Sequence, residues 1–286
     1  MENAVTENNI STLPNNYRTY IPSKNLNPFF DVSRFPIFAK SNTGDREIAK
    51  DALFSPNGNV LGLVSKGYNI VNNVDVASLF DEFFSEMHIL SVRDHVSGNG
   101  EKWLRDYIVD EDKYSVTVDK DDHLKLKVTV SNGYDAKSGV KFAVSFWRQV
   151  CDNGMMGWKK EIGQSFSHFN KNILGKLDGL LNQGFGKVSE FADTWQSWTQ
   201  IPFTKKDFMG FVESRDYLTN KKKDNIIGHY NGIMNKYNEN ETKWGVYNVL
   251  TAIATHHTNS KNNDVSNVFS NGYREMQRVT RDFWNY

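Results

Sequence analysis

The sequence holds a single cysteine, which excludes an intrachain disulfide and any zinc site built on several thiolates. It has no excess of either charge: Lys and Arg number 34, Asp and Glu number 34, and the formal net charge is zero. A global basic field therefore cannot draw the chain to nucleic acid, and any such binding needs a local patch. No apolar run reaches the length of a membrane-spanning helix. The opening residues, MENAVTENNISTLPNN, have neither the basic start nor the apolar core of a secretory signal, so an intracellular protein is expected. Also absent are a GxxxxGK[ST] phosphate loop, a dinucleotide fingerprint, HExxH and GxSxG. The seven histidines are scattered. His256 and His257 are neighbours, and on a helix they point about 100° apart, so they cannot act as an i,i+4 metal pair. Acid runs such as Asp110-Glu111-Asp112 read as solvated turns. A non-enzymatic protein with no cofactor and no metal is expected; a nuclease drawing its metal carboxylates from distant strands stays open as the alternative.

What is present centres on Lys125–Trp158. Leu124, Leu126, Val128 and Val130 alternate with Lys125, Lys127 and Thr129, the period of a half-buried strand. Ser131–Gly139 is rich in turn residues, and its Asn-Gly and Ser-Gly pairs are expected to supply the positive φ that a hairpin needs. In the second strand, Val140–Val150, one face carries Val140, Phe142, Val144, Phe146 and Arg148. Lys141 falls on the other face, with Trp147. A cation that closes an apolar face must find a partner or a ligand. Two readings follow: Arg148 is a structural cap, or Arg148, Lys141 and the Gly154-Met155-Met156-Gly157 loop form an anion-binding surface. Cys151 reads as a small apolar residue at the strand end, with no activating base in view.

Along the chain, residues 1–28 read as a mobile N-terminal arm. Residues 29–260 are expected to form a single α+β domain, β-rich to about residue 158 and α-rich after it. Residues 261–286 are read as a C-terminal tail with a short amphipathic segment. Phe29–Phe54 reads as edge strands or loop packing. VLGLVSKGYNIVNN predicts two short strands around Lys66-Gly67, followed by a helix with a Val76, Leu79, Phe80, Phe83, Phe84 stripe. Strands are expected at His88–Val92, Trp103–Val109 and Tyr114–Val118. Helical spacing runs from Ile173 to Trp198, Thr204 with Asp207 marks a helix start, and Trp244–His257 predicts a last amphipathic helix before the tail. Strands first and helices afterwards argue for α+β: a hairpin-rich antiparallel meander with an early helix, then a helical half.

Three stretches resemble a family of phages and plasmids called domain of unknown function nine-three-two. SNGYDAKSG with FWRQVCDNGM resembles its N-S-x-D-G-S … R-x-V-C-x-N-G core, through Asn132, Cys151, Asn153 and Gly154. WGVYNVLTAIATHH is similar to its W-x-x-Y-N-A-x-T-x-x-x-T-H helix, through Trp244, Tyr247, Asn248 and Thr251. GLVSKGYNIVNNVDVASLFDEF resembles its opening unit. One departure is that Asp135-Ala136-Lys137 stands where the family pattern has Asp-Gly. The resemblance implies a protein of a phage or mobile element in the host-cell cytoplasm. Its strand–helix–meander order is similar to that of single-strand annealing recombinases. Such a likeness implies a homo-oligomer that binds single-stranded DNA without a nucleotide. Lys141, Arg148, Lys159, Lys160 and Lys171, interleaved with Trp158, are the candidate contacts, since cations and aromatic faces make sequence-tolerant strand binding. The alternative is an accessory or counter-defence protein that grips a host protein through its arm and exposed aromatics.

Overall fold

Alternation of apolar and polar residues builds the strands, and the structure, a computed structural model, describes residues 20–22, 27–40, 42–97, 99–119, 122–148, 153–155, 163–169, 172–176, 188–258 and 271–286. The strands are β1 Tyr20–Pro22, β2 Ser33–Ala39, β3 Arg46–Phe54, β4 Val60–Ser65, β5 Ile89–Ser97, β6 Lys102–Val109, β7 Val116–Asp119, β8 Asp122–Gly133, β9 Val140–Arg148, β10 Asn153–Met155 and β11 Gly163–Phe166. The helices are α1 Asn73–Phe83, α2 Val188–Trp198, α3 Lys205–Glu213, α4 Asn220–Lys236, α5 Lys243–His256 and α6 Asn271–Trp284. The fold is α+β: a meander-like, mainly antiparallel sheet region followed by a C-terminal helical bundle. The main sheet has the order β1-β5-β6-β8-β9-β10, with β11 also on β9 and β7 on β8. A separate sheet has the order β2-β3-β4. The pairing of β1 with β5 is parallel, and it draws Tyr20–Pro22 from the stretch read as a mobile arm.

The chain divides into two compact units, the first formed by Met1–Glu111, Val128–Ala143 and Gly163–Asn182, the second by Asp112–Lys127, Val144–Ile162 and Gln183–Tyr286. In the first unit, α1 buries Val76, Ala77 and Phe80. Phe80 stacks on Tyr107 at 6.0 Å and meets Phe142 at 5.9 Å. No strand follows Lys66-Gly67, contrary to the sequence expectation. The chain turns inward instead: Tyr68 N donates to Ser65 O at 3.1 Å, and its buried hydroxyl donates to Gly133 O at 3.0 Å. Phe29–Phe54, expected as edge strands or loop packing, supplies two of the three strands of the smaller sheet.

The turn between β8 and β9 also differs from expectation. Among the described residues there, the positive φ falls on Ala136, at 61°, and on neither Gly133 nor Gly139. Gly139 is needed for room: a Cβ on it would lie 2.1 Å from Phe166 O of the paired β11. Asp135 closes the turn by accepting from Lys137 N at 3.0 Å and Ser138 N at 2.6 Å.

In the second unit, α5 is buried at every residue from Trp244 through Ala254, so this helix, expected to be amphipathic, is enclosed on all sides, as a helix with little polar face is. It packs on α2, α4, α6 and β10. Thr204 and Asp207 form the capping box that starts α3, as the sequence predicts. The amphipathic segment of the expected tail is α6, which buries Met276, Val279 and Phe283. The described part of the Ile173–Trp198 run includes α2, whose Phe191 and Trp195 meet Phe146 of β9. No described helix is long and apolar enough to cross a membrane.

Candidate nucleic-acid interface

Arg148 ends the apolar face of β9, and its guanidinium is held from two sides within the second unit. Its Nε donates to Asp122 Oδ1 at 2.6 Å, and its Nη1 donates to Glu239 Oε1. Each carboxylate has a second donor: Trp244 Nε1 reaches Asp122 Oδ2 at 2.8 Å, and Asn248 Nδ2 reaches Glu239 Oε2 at 3.0 Å. The Arg148 side chain is 6 % exposed, Asp122 8 % and Glu239 5 %. Burial raises the Glu239 pKa above the usual carboxylate value, against the lowering pull of Arg148 and Asn248. A cavity of about 610 Å³ opens over the cluster, lined also by Asp119, so its three carboxylates outweigh one guanidinium. This surround favours the structural reading of Arg148. A phosphate would meet carboxylates there, and the arginine's charge is already compensated.

The other expected contacts are distributed as follows. Lys141 is exposed on β9, opposite Ser165 of β11. Trp158, Lys159, Lys160 and Lys171 lie outside the described residues, as do Met156 and Gly157 of the proposed anion loop and the family-motif Cys151. Asn153 and Gly154 form β10, paired with Arg148 and Trp147. Asn132 is structural in the first unit: its Nδ2 donates to Val71 O at 2.7 Å and to Asn73 Oδ1 at 2.9 Å. Trp244, Tyr247, Asn248 and Thr251 are buried in α5, and Thr251 Oγ1 donates to Asn248 O at 3.0 Å. Asn248 Oδ1 has no partner among the described residues.

The alternation of β8 turns other nitrogen-bearing side chains outward. His123, Lys125 and Lys127 alternate with the buried Asp122, Leu124 and Leu126. On β9, Trp147 stands half-buried between the buried Phe146 and Arg148, and Ser145 Oγ donates to Lys127 O at 3.3 Å, tying the two strands together. Among the described residues, no cluster of three or more His, Cys, Asp or Glu side chains could hold a metal ion.

The family model described as Domain of unknown function (DUF932) matches residues 60–279. The chain belongs to this family. The DUF932 match takes in Asp122, Arg148, Glu239 and Trp244, and it begins after β2 and β3. No curated protein matches the chain, and no solved structure matches it.

One feature of this DUF932 chain lay beyond sequence reasoning. In the first unit Arg105, 1 % exposed, donates through Nε and Nη2 to both oxygens of Asp94, each at 2.9 Å. Its Nη1 lies 3.2 Å from Asp81 Oδ2, and the Phe29 ring covers the guanidinium at 4.8 Å. Trp103 and Tyr107 donate to the same two carboxylates, at 2.7 and 2.8 Å. The only sequence signal was a charge on the face of β6 that also carries Trp103 and Tyr107.

Proposed function

We propose that the protein binds single-stranded DNA through the outward side of β8 and β9 in the second unit, and that it anneals strands during recombination or replication of a mobile element. The observation that supports this is the alternation that turns Lys125 and Lys127 away from the core beside the half-buried Trp147. Cations neutralise phosphates, an aromatic face stacks a base, and neither reads sequence. A chain with no net charge needs such a local arrangement to bind DNA at all. Arg148 has no part in the contact; it fixes the end of β9. The phage or plasmid setting is what the resemblance of the sequence motifs implies, the annealing step is what the likeness of element order to annealing recombinases implies, and the reading requires no nucleotide.

The test is fluorescence anisotropy with a labelled single strand at several salt concentrations. Lys125→Gln with Lys127→Gln should weaken binding equally for all sequences and flatten the log affinity–log salt slope by about 1.4, at about 0.7 per contact. Trp147→Ala should cost about 1–3 kcal/mol of affinity and leave the slope nearly intact. A wild type that binds no single strand at low salt would end this reading and put in its place the one in which the chain grips a host protein.

A further inference from the structure

The sheet β2-β3-β4 of the first unit has an apolar face open to solvent. Its register sets Phe35, Ala52 and Leu63 in one row and Phe54 opposite Val60 in the next. Phe35 is 56 % exposed, Phe38 55 %, Val60 55 % and Leu63 51 %, around a floor of buried Ala52. The depression over this floor has a volume of about 640 Å³, and none of its described lining residues is ionisable. Four charges in the sheet and just past β4 pair with one another: Lys66 Nζ lies 2.5 Å from Glu47 and 2.6 Å from Asp51, and Arg34 lies 3.4 Å from Asp51.

We infer that this face binds a second copy of the chain, apolar face to apolar face across a two-fold axis. Three observations select that occupant. Identical surfaces repel when each carries charge of one sign; the described lining of the depression carries none, Lys50 standing beyond it on the same face beside Ser65, and the whole chain has a formal net charge of zero. The area fits: taking side-chain areas on the order of 150–250 Å² for phenylalanine and less for leucine and valine, the four residues leave roughly 400 Å² of apolar surface open per copy. Two such faces, at the usual apolar share of an interface, correspond to about 1,200–1,400 Å² buried in total, the range of a specific dimer. The edge is unsuited to the alternative of strand addition. Pro36 sits in β2, and the register slips between Pro36 and Phe38, two devices that blunt an edge strand. Docking is therefore through the face.

The test uses the full chain without DNA, so its outcome is independent of the single-strand reading. Light scattering on a sizing column should give the wild type twice 32.9 kDa, falling toward one chain on dilution. Leu63→Glu and Leu63→Lys should each raise the dissociation constant by more than about tenfold, since a two-fold axis sets like charges together. Both should keep the circular dichroism spectrum of the folded wild type, because Leu63 is 51 % exposed. Mixing the two variants should restore the dimer, which neither a foreign partner nor a covering segment of the same chain would do. Phe38→Ser gives a second, uncharged reading of the same face and should weaken the dimer likewise. A wild type that stays monomeric at every concentration, variants that remain dimeric, or a mixture that stays monomeric would each overturn the inference.

Discussion

Arg148 shows how a single residue's role turns on its neighbours. On the sequence it closes an apolar strand face, and such a charge needs either a partner or a ligand. The fold supplies Asp122 from the neighbouring strand and Glu239 from the end of α4, ninety-one residues away. Removing the cation leaves two buried carboxylates facing each other, so Arg148→Met should cost about 3–5 kcal/mol. Urea denaturation reads the loss, while the salt slope of DNA binding, measured on the folded fraction, should not move. A flattened slope with unchanged stability would return Arg148 to the DNA contact. Ala136 makes a second prediction. An alanine at φ 61° pays about 1–2 kcal/mol for the left-handed conformation, which glycine adopts freely. Ala136→Gly should therefore raise stability by about 1 kcal/mol, a gain readable as a higher denaturation midpoint. The position is the one at which the family pattern resembled by this sequence has Gly after Asp.

At the scale of elements, the helix pair α4–α5 and the loop after β11 contain histidines whose pKa is lowered. The His257 ring lies 4.2 Å from His229 of α4; burial lowers its pKa below 6.5, helped by His229, His256 and Lys236. His168 stacks on Tyr68 at 4.5 Å, and burial lowers its pKa as well. In both cases the unfolded chain takes up protons from about pH 6.5 downward and the folded chain does not. The stability these residues support is present above 6.5 and lost as pH falls through the lowered folded values. Denaturation midpoints should decline as the solution is acidified below that value, and His168→Gln with His257→Gln should flatten the decline. Glu239, with its pKa raised by burial, acts in the opposite sense near the carboxylate range. A midpoint that rises on acidification through the imidazole range would contradict the assignment.

At the scale of the whole molecule, period-two and period-3.6 patterns were legible because they are local. β8 and β9 could be read from alternation, the start of α3 from Thr204 and Asp207, and α5 as a helix from its period, though not its burial on all sides. The α+β order followed from strands preceding helices. Long-range pairing was not legible. Nothing near Arg148 names Glu239 as its partner, and nothing near Arg105 names Asp81. The segment of β2 and β3 read as edge strands or loop packing, because most of β2 and the first half of β3 stay exposed on the sheet they form with β4. The candidate site was legible only in part: Lys141 and Trp147 were placed on one face of β9, but Lys125 and Lys127 were passed over as the ordinary outer side of a strand.

The proposed function stands on one contact, that of outward lysines of β8, rather than Arg148, with single-stranded DNA. The decisive measurement is the salt dependence of strand affinity for the wild type, Lys125→Gln with Lys127→Gln, and a control in which Lys221–Lys223 at the start of α4 are changed to Gln. The β8 variant should lose about 1.4 from the log–log slope while the α4 control keeps the wild-type slope. Equal flattening in both variants, or no strand binding by the wild type at low salt, would contradict it.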